Sequence, residues 1–210
     1  MSFARTELKD AAIGVGVADE PQDLSVIRKP GCAAAIWRRQ TPPGFQEWLA
    51  ALPEENLPTT RTVMRPEAVA DAMQHLCDIA GLPEGAERFW LEADVADLAV
   101  RFAALMKAPY LRLRLDAVKT NACRKFHIDA IVARLICTYR GTGTQYGIST
   151  DGEDPARVFT LATGSPMILR GTLWPEKPAS GLLHRSPPIE GSGETRLVLV
   201  LDPVFDMADV

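Results

Sequence analysis

The chain contains three histidines, and two of them lie where chemistry is plausible. His127 and Asp129 form an HxD in Phe126-His127-Ile128-Asp129. On an extended strand, residues two apart point to the same face, so this pair offers an imidazole and a carboxylate to one ion. His184 follows in Gly181-Leu182-Leu183-His184-Arg185-Ser186-Pro187-Pro188 and supplies a third ligand from a distant strand. Two imidazoles and one carboxylate on one side of a metal leave coordination positions open. That arrangement suits non-haem Fe(II) oxygen chemistry. Arg196 opens the run Arg196-Leu197-Val198-Leu199-Val200-Leu201, and its guanidinium is suited to pairing bidentately with a small dicarboxylate.

Other residue types compete for roles. Cys123 lies four positions before His127, and zinc accepts mixed sulfur, nitrogen and oxygen ligands. A small inert thiol is the default reading. Arg140-Gly141-Thr142-Gly143-Thr144 offers backbone N–H groups for an anion nest but lacks the Gly-Lys-Ser/Thr ending of a P-loop. A tight turn between strands is the simpler reading. If that turn lies at the mouth of a barrel, Thr138, Tyr139 and Tyr146 reach the pocket. His75 falls near the edge of a helix face and reads as solvent contact or a local hydrogen bond. Arg112 and Arg114 alternate with leucines and lie either on a solvated outer face or on a polar inner one. Trp174, before Pro175, is either a lid aromatic or a packed loop anchor.

The elements that must position these residues change character along the chain. Residues 1–30 show no clear period and read as an irregular arm. Residues 31–109 read as mainly helical. A short apolar run, Cys32 to Trp37, is a candidate strand. Phe45 to Leu52 suggests a short helix ended by Pro53. Pro66 suits a first helical position, and Val69, Met73, Leu76, Cys77 and Ala80 recur at helical spacing until Gly81 and Pro83. A second helix is expected from about Ala86 to Lys107, with Leu91, Val95, Leu98, Phe102, Leu105 and Met106 on its apolar face. From residue 110 to 210 the pattern turns to strands. Leu111, Leu113 and Leu115 alternate with charged residues. Short runs follow at Lys125–Asp129, Ala133–Tyr139, Val158–Leu161, Met167–Leu169, Leu182–His184 and Arg196–Leu201. The expected class is α+β: a barrel or jelly roll carrying the site, with the N-terminal helices packed on one face.

Composition bounds the function. A chain of 210 residues suits one domain. Hydrophobic residues at 47% and charged residues at 24% are ordinary for a globular fold. A net charge of −4 argues against general nucleic-acid binding. No secretory h-region or membrane span is visible. The four cysteines form no CxxC pair, so reduced thiols in a cytoplasmic protein are expected.

The ordered set of HxD, a long gap, Leu-Leu-His, a proline-containing loop and an Arg-led apolar strand resembles the 2-oxoglutarate and Fe(II)-dependent dioxygenase superfamily. The resemblance spans about residues 110–203 and implies a double-stranded β-helix of the cupin-like kind. It gives His127, Asp129 and His184 the metal-ligand roles and Arg196 the co-substrate role. The stretch from Phe126 through Arg140-Gly141-Thr142-Gly143-Thr144, with the later Leu183-His184-Arg185-Ser186-Pro187-Pro188, is also similar to a bacterial family known only as a domain of unknown function. That family is associated with zinc-homeostasis genes in some bacteria. Two functions therefore compete on one ligand set. One is an Fe(II)- and 2-oxoglutarate-dependent oxygenase with an undefined substrate. The other is a non-catalytic, cupin-like zinc-binding or metal-handling protein.

Overall fold

Alternation in three strands builds a two-sided sheet. Leu111, Leu113 and Leu115, then Leu135, Cys137 and Tyr139, then Leu197, Leu199 and Leu201 are all buried on one side. The intervening residues, including Arg114, Arg134, Ile136, Val198 and Val200, line a cavity, as the period of two requires. The computed structural model describes residues 10–209.

In chain order the strands are β1 (Ala11–Ala12), β2 (Gly14–Ala18), β3 (Cys32–Trp37), β4 (Thr60–Met64), β5 (Tyr110–Val118), β6 (Ala133–Arg140), β7 (Gln145–Ile148), β8 (Phe159–Thr160), β9 (Met167–Arg170), β10 (Ala179–Ser180), β11 (Leu182–Arg185) and β12 (Arg196–Val204). The helices are α1 (Phe45–Ala51), α2 (Val69–Ile79) and α3 (Ala86–Met106). A seven-stranded sheet runs β2-β3-β9-β6-β12-β5-β4, and a three-stranded sheet runs β11-β7-β8. In the large sheet only the β2–β3 pair is parallel. The chain is thus a mixed α/β protein with a large, mostly antiparallel sheet.

The helices cover one face of that sheet. Leu91, Val95, Leu98 and Phe102 recur at helical spacing along α3 and are buried in the same cluster as the β5, β6 and β12 leucines. Val69, Met73 and Cys77 do the same for α2. α3 stops at Lys107, whose φ of 55° turns the backbone left-handed before Pro109. A second, smaller cluster joins Ile136, Val198, Met167 and Leu169 of the large sheet to Leu182 of β11. It lies on the face opposite the helices and brings the small sheet toward the large one.

Two expectations about the N-terminal part need correction. The irregular arm expected over residues 1–30 lies partly outside the described residues. From residue 11 it forms β1, β2 and a 3-10 helix, Pro21–Arg28, whose Leu24 and Ile27 are buried. A Cβ on Gly16 would stand 2.4 Å from Val26 Cγ1, so this helix packs directly on β2. Nor do residues 31–109 form a mainly helical layer alone, because β3 and β4 enter the large sheet. The β-branched Thr60 and Thr62 of β4 pair with Leu115 and Leu113, and edge pairing decides their state more than local propensity does.

Candidate metal centre

His127 and His184 meet across a single antiparallel bridge. The His127 N–H donates to the His184 carbonyl at 3.1 Å, and the His184 N–H returns to the His127 carbonyl at 3.0 Å. His184 sits on β11, held by pairing to β7 with Tyr146 directly opposite. The expected strand Lys125–Asp129 is not formed; only His127 bridges.

Asp129 arrives on an irregular segment pinned at its backbone. Its carbonyl accepts the Thr172 N–H at 2.9 Å, the Ile131 carbonyl accepts from Leu173 at 3.0 Å, and the Val132 carbonyl accepts from Gly171 at 2.9 Å. Gly171 is required for this contact. A Cβ there would lie 1.9 Å from the Ile131 carbonyl oxygen.

The three side chains converge, with one donor atom from each lying within 4.8 Å of the others. His127 Nε2 is 3.4 Å from Asp129 Oδ1, and His184 Nε2 is 3.1 Å from Asp129 Oδ2. Two donors at roughly 2.1 Å from one ion and at right angles to each other stand about 3 Å apart, so these separations fit cis ligands. His127 Nδ1 lies 2.9 Å from the Lys125 carbonyl. A proton assigned to Nδ1 satisfies that carbonyl and leaves the Nε2 lone pair for a metal. Asp129 Oδ2 is buried and, despite its closeness to His184, has no aligned hydrogen bond. An orphaned buried carboxylate oxygen between two imidazoles is a donor set that fits a divalent cation.

The electrostatics favour an ionised carboxylate. Burial raises the Asp129 pKa, but the adjacent His127 and His184 imidazoles and the Arg134 guanidinium outweigh it, and the carboxyl is held far below its usual range. The Asp129 contact raises the His127 pKa, while burial lowers that of His184. Arg134 Nη1 donates to Asp129 Oδ1 at 2.7 Å. Its Nε and Nη2 clasp Asp202 at 2.6 and 2.8 Å. Arg134 and Asp202 were not foreseen. Each is a charged residue within a largely apolar strand.

Arg196 is 2% exposed and borders the cavity that His127 and His184 also line. Its Nε donates to the Thr142 carbonyl at 2.6 Å and its Nη2 to Thr138 Oγ1 at 3.2 Å. Both partners are neutral, and no ion pair among the described residues involves Arg196. Burial pushes its pKa down to about 10. Thr138 therefore shares the face of the cavity. Tyr139 does not. It points into the helix-covered core and donates to Asp94 Oδ2 at 2.6 Å, while Asp94 is also clasped by Arg39. The expected contact between Tyr139 and a co-substrate has no geometric basis, because adjacent strand residues face opposite ways.

The remaining candidates resolve simply. In the Arg140–Thr144 turn, the Thr142 N–H is taken by the Glu194 carboxylate at 2.6 Å, so the chain supplies its own anion there. Cys123 Sγ lies 3.7 Å from both ring nitrogens of His127 and falls outside the three-residue cluster. His75 is exposed. Trp174 packs under the Arg170 guanidinium at 4.5 Å and donates to Glu176, as a loop anchor would. No helix among the described residues is long and apolar enough to cross a membrane.

Comparison with solved structures places the fold. A dioxygenase for auxin oxidation from rice matches with a TM-score of 0.51 and 13% identity, over 93% of this chain and 85% of that one. The Arabidopsis thaliana dioxygenase for auxin oxidation 1, in a binary complex with 2-oxoglutarate, matches with a TM-score of 0.48 and 12% identity, over 93% and 94% of the two chains. A full-length Neurospora crassa protein in complex with alpha-KG matches with a TM-score of 0.45 and 12% identity, over 97% and 88%. The likeness to the rice protein is one of fold. No curated protein sequence matches the chain. Residues 18–202 match the family described as a protein of unknown function, DUF1826, and the chain belongs to that family.

Proposed function

We propose that the chain is an Fe(II)- and 2-oxoglutarate-dependent oxygenase whose two sheets form a double-stranded β-helix. His127, Asp129 and His184 are the metal ligands, and Arg196 receives the distal carboxylate of 2-oxoglutarate. The observation that carries this reading is the state of Arg196. A buried guanidinium whose hydrogen-bond partners are neutral, with Glu194 acting on it without forming an ion pair, opens on the cavity of the His pair and calls for an anionic ligand. When bound, Fe(II) with 2-oxoglutarate supplies oxidative decarboxylation coupled to oxidation of a substrate C–H bond.

The chain's own contributions follow from its geometry. Lys125, through its carbonyl, fixes the His127 ring with Nε2 turned to the site. Asp129 stays ionised at neutral pH, and Arg134 orients its carboxylate while Asp202 holds Arg134. Thr138 steadies the Arg196 fork from β6. Ile136, Val198 and Val200 give the cavity an apolar floor that keeps water away from the reacting groups.

The test is metal analysis of anaerobically purified protein, followed by calorimetric titration of 2-oxoglutarate into Mn(II)-loaded protein. Binding that requires both the metal and Arg196 is expected. Tight metal binding with no detectable 2-oxoglutarate binding would overturn the oxygenase reading in favour of the metal-handling one.

A further inference from the structure

The cavity beside the His pair is lined by four arginines: Arg114, Arg134, Arg185 and Arg196. Three of them are engaged. Arg134 is clasped by Asp129 and Asp202. Arg185 donates to Gln145 Oε1 at 2.8 Å and lies 4.4 Å over the Phe126 ring. Arg196 is held by Thr142 and Thr138. Arg114 is different. Its one ion pair among the described residues is a long contact, 3.4 Å from Nη2 to Asp202 Oδ2, on a carboxylate already clasped by Arg134. Its Nε is buried with no hydrogen-bond partner, although 22% of its side chain remains exposed. Burial, followed by the nearby charge of Arg134, lowers its pKa. An unsatisfied buried N–H on a cation is costly, so the observed orientation is one that a carboxylate would relieve by accepting from the Nε and Nη2 edge.

We propose that Arg114 is the specificity-determining residue of the site and that the primary substrate is a small monocarboxylic acid. This rests on the oxygenase reading for its reaction but not for its binding chemistry. Register places Arg114 opposite Val200, which in turn lies opposite Ile136 of β6. Arg114 is therefore two strand spacings, about 10 Å, from β6, the strand whose Arg134 holds Asp129. An acid anchored at Arg114 would meet the apolar floor of Val198 and Val200, in the cavity that the His pair also lines. The cavity, about 160 Å³, also receives 2-oxoglutarate on the oxygenase reading, so only a short acid fits beside it. The charge around Arg114 selects a monoanion. Asp116 lines the same cavity, and Asp202 touches Arg114. Two neighbouring carboxylates repel a phosphate dianion more strongly than a single carboxylate.

The probes are acetate, isovalerate, phenylacetate and ethyl phosphate, with the three acids each paired to its neutral amide. They are titrated calorimetrically into anaerobic protein saturated with Mn(II) and 2-oxoglutarate. At least one acid should bind about tenfold or more tightly than its amide. In Arg114→Gln that preference should fall to within about twofold, with 2-oxoglutarate affinity unchanged within the same margin. Arg114→Lys, which keeps the charge without the planar fork, should keep only part of the preference. The proposal is overturned if no acid is preferred over its amide, if ethyl phosphate binds more tightly than the acids, or if Arg114→Gln keeps the preference. Should wild type fail to bind 2-oxoglutarate, the oxygenase reading fails by itself. The acid and amide titrations are then run on metal-free protein, where the same comparison decides the role of Arg114.

Discussion

His127 and His184, 57 residues apart in sequence, are joined twice over: their backbones exchange both hydrogen bonds of one bridge, and their rings sit 4.5 Å apart. The relative position of the two proposed imidazole ligands is thus set by main-chain pairing, although His127 lies on an irregular segment, and Asp129 is placed by that segment's bonds to residues 171–173. Replacing either side chain leaves the backbone bridge intact. His184→Ala and Asp129→Asn should each fold while losing at least about a hundredfold in divalent-metal affinity, since even outer partners of metal ligands cost 10–100-fold. Metal content after dialysis, with circular dichroism as the folding control, checks this.

Arg196→Leu separates an oxygenase from a plain metal binder. The variant should bind Mn(II) as wild type does. Its 2-oxoglutarate affinity should drop by about 2–5 kcal/mol, the usual result of truncating one side of a buried charge pair. Calorimetry on both metal-loaded proteins reads the difference.

The pH dependence of metal binding should report His127. The Asp129 contact raises its pKa above the ordinary 6.5, whereas burial keeps His184 neutral to lower pH. A metal must therefore displace one proton over a range extending above pH 6.5. Below the folded pKa of His127, affinity should fall about tenfold per pH unit, and above it the curve should flatten. In metal-free protein the sign is opposite. The His127–Asp129 pair contributes stability that is fully present below pH 6.5 and lost as pH rises through the folded pKa of His127. Titrations at several pH values in buffers of different ionisation enthalpy count the proton.

Tyr139→Phe tests the assignment of Tyr139 to the core. Its hydroxyl donates to the buried Asp94, so the variant should lose about 1–3 kcal/mol of stability. Metal and 2-oxoglutarate binding should not change. A loss of co-substrate affinity without loss of stability would contradict the assignment.

Phe102→Ala probes the layer between α3 and the large sheet. Phe102 is 1% exposed, and its truncation should cost about 3–5 kcal/mol. Urea denaturation followed by tryptophan fluorescence measures it.

The cluster of His127, Asp129 and His184 was legible because imidazoles are scarce here and two of the three fall in the β-rich half. The route by which the three side chains meet was not. His127 and Asp129 were expected to share a strand face, yet Asp129 is aimed by backbone bonds from Thr172 and Gly171, which no local pattern reveals. The apolar stripes of α2 and α3 carried their own period, so those helices were legible. β2 and β4 were missed because each is an edge strand, short and weakly apolar, whose state is decided by a partner far along the chain. Ile13, Val15 and Val17 do alternate, which was a usable signal for β2. Thr138 and Tyr139 were grouped by nearness to a turn, although the two-residue period that paired His127 with Asp129 separates them.

The order of strands in the large sheet has a consequence for how the chain acquires its shape. β12 follows every other strand in sequence, yet it lies in the interior, between β6 and β5. During synthesis β5 and β6 emerge long before the strand that joins them. Until Arg196–Val204 appears, β4-β5 and β2-β3-β9-β6 can exist only as separate ribbons, each with an unpaired edge exposed. Such late, non-local closure is slow and exposes aggregation-prone surface. Because Arg196 is the first residue of β12, the strand that closes the sheet also completes the cavity wall, and a ligand held there would favour the closed chain by mass action.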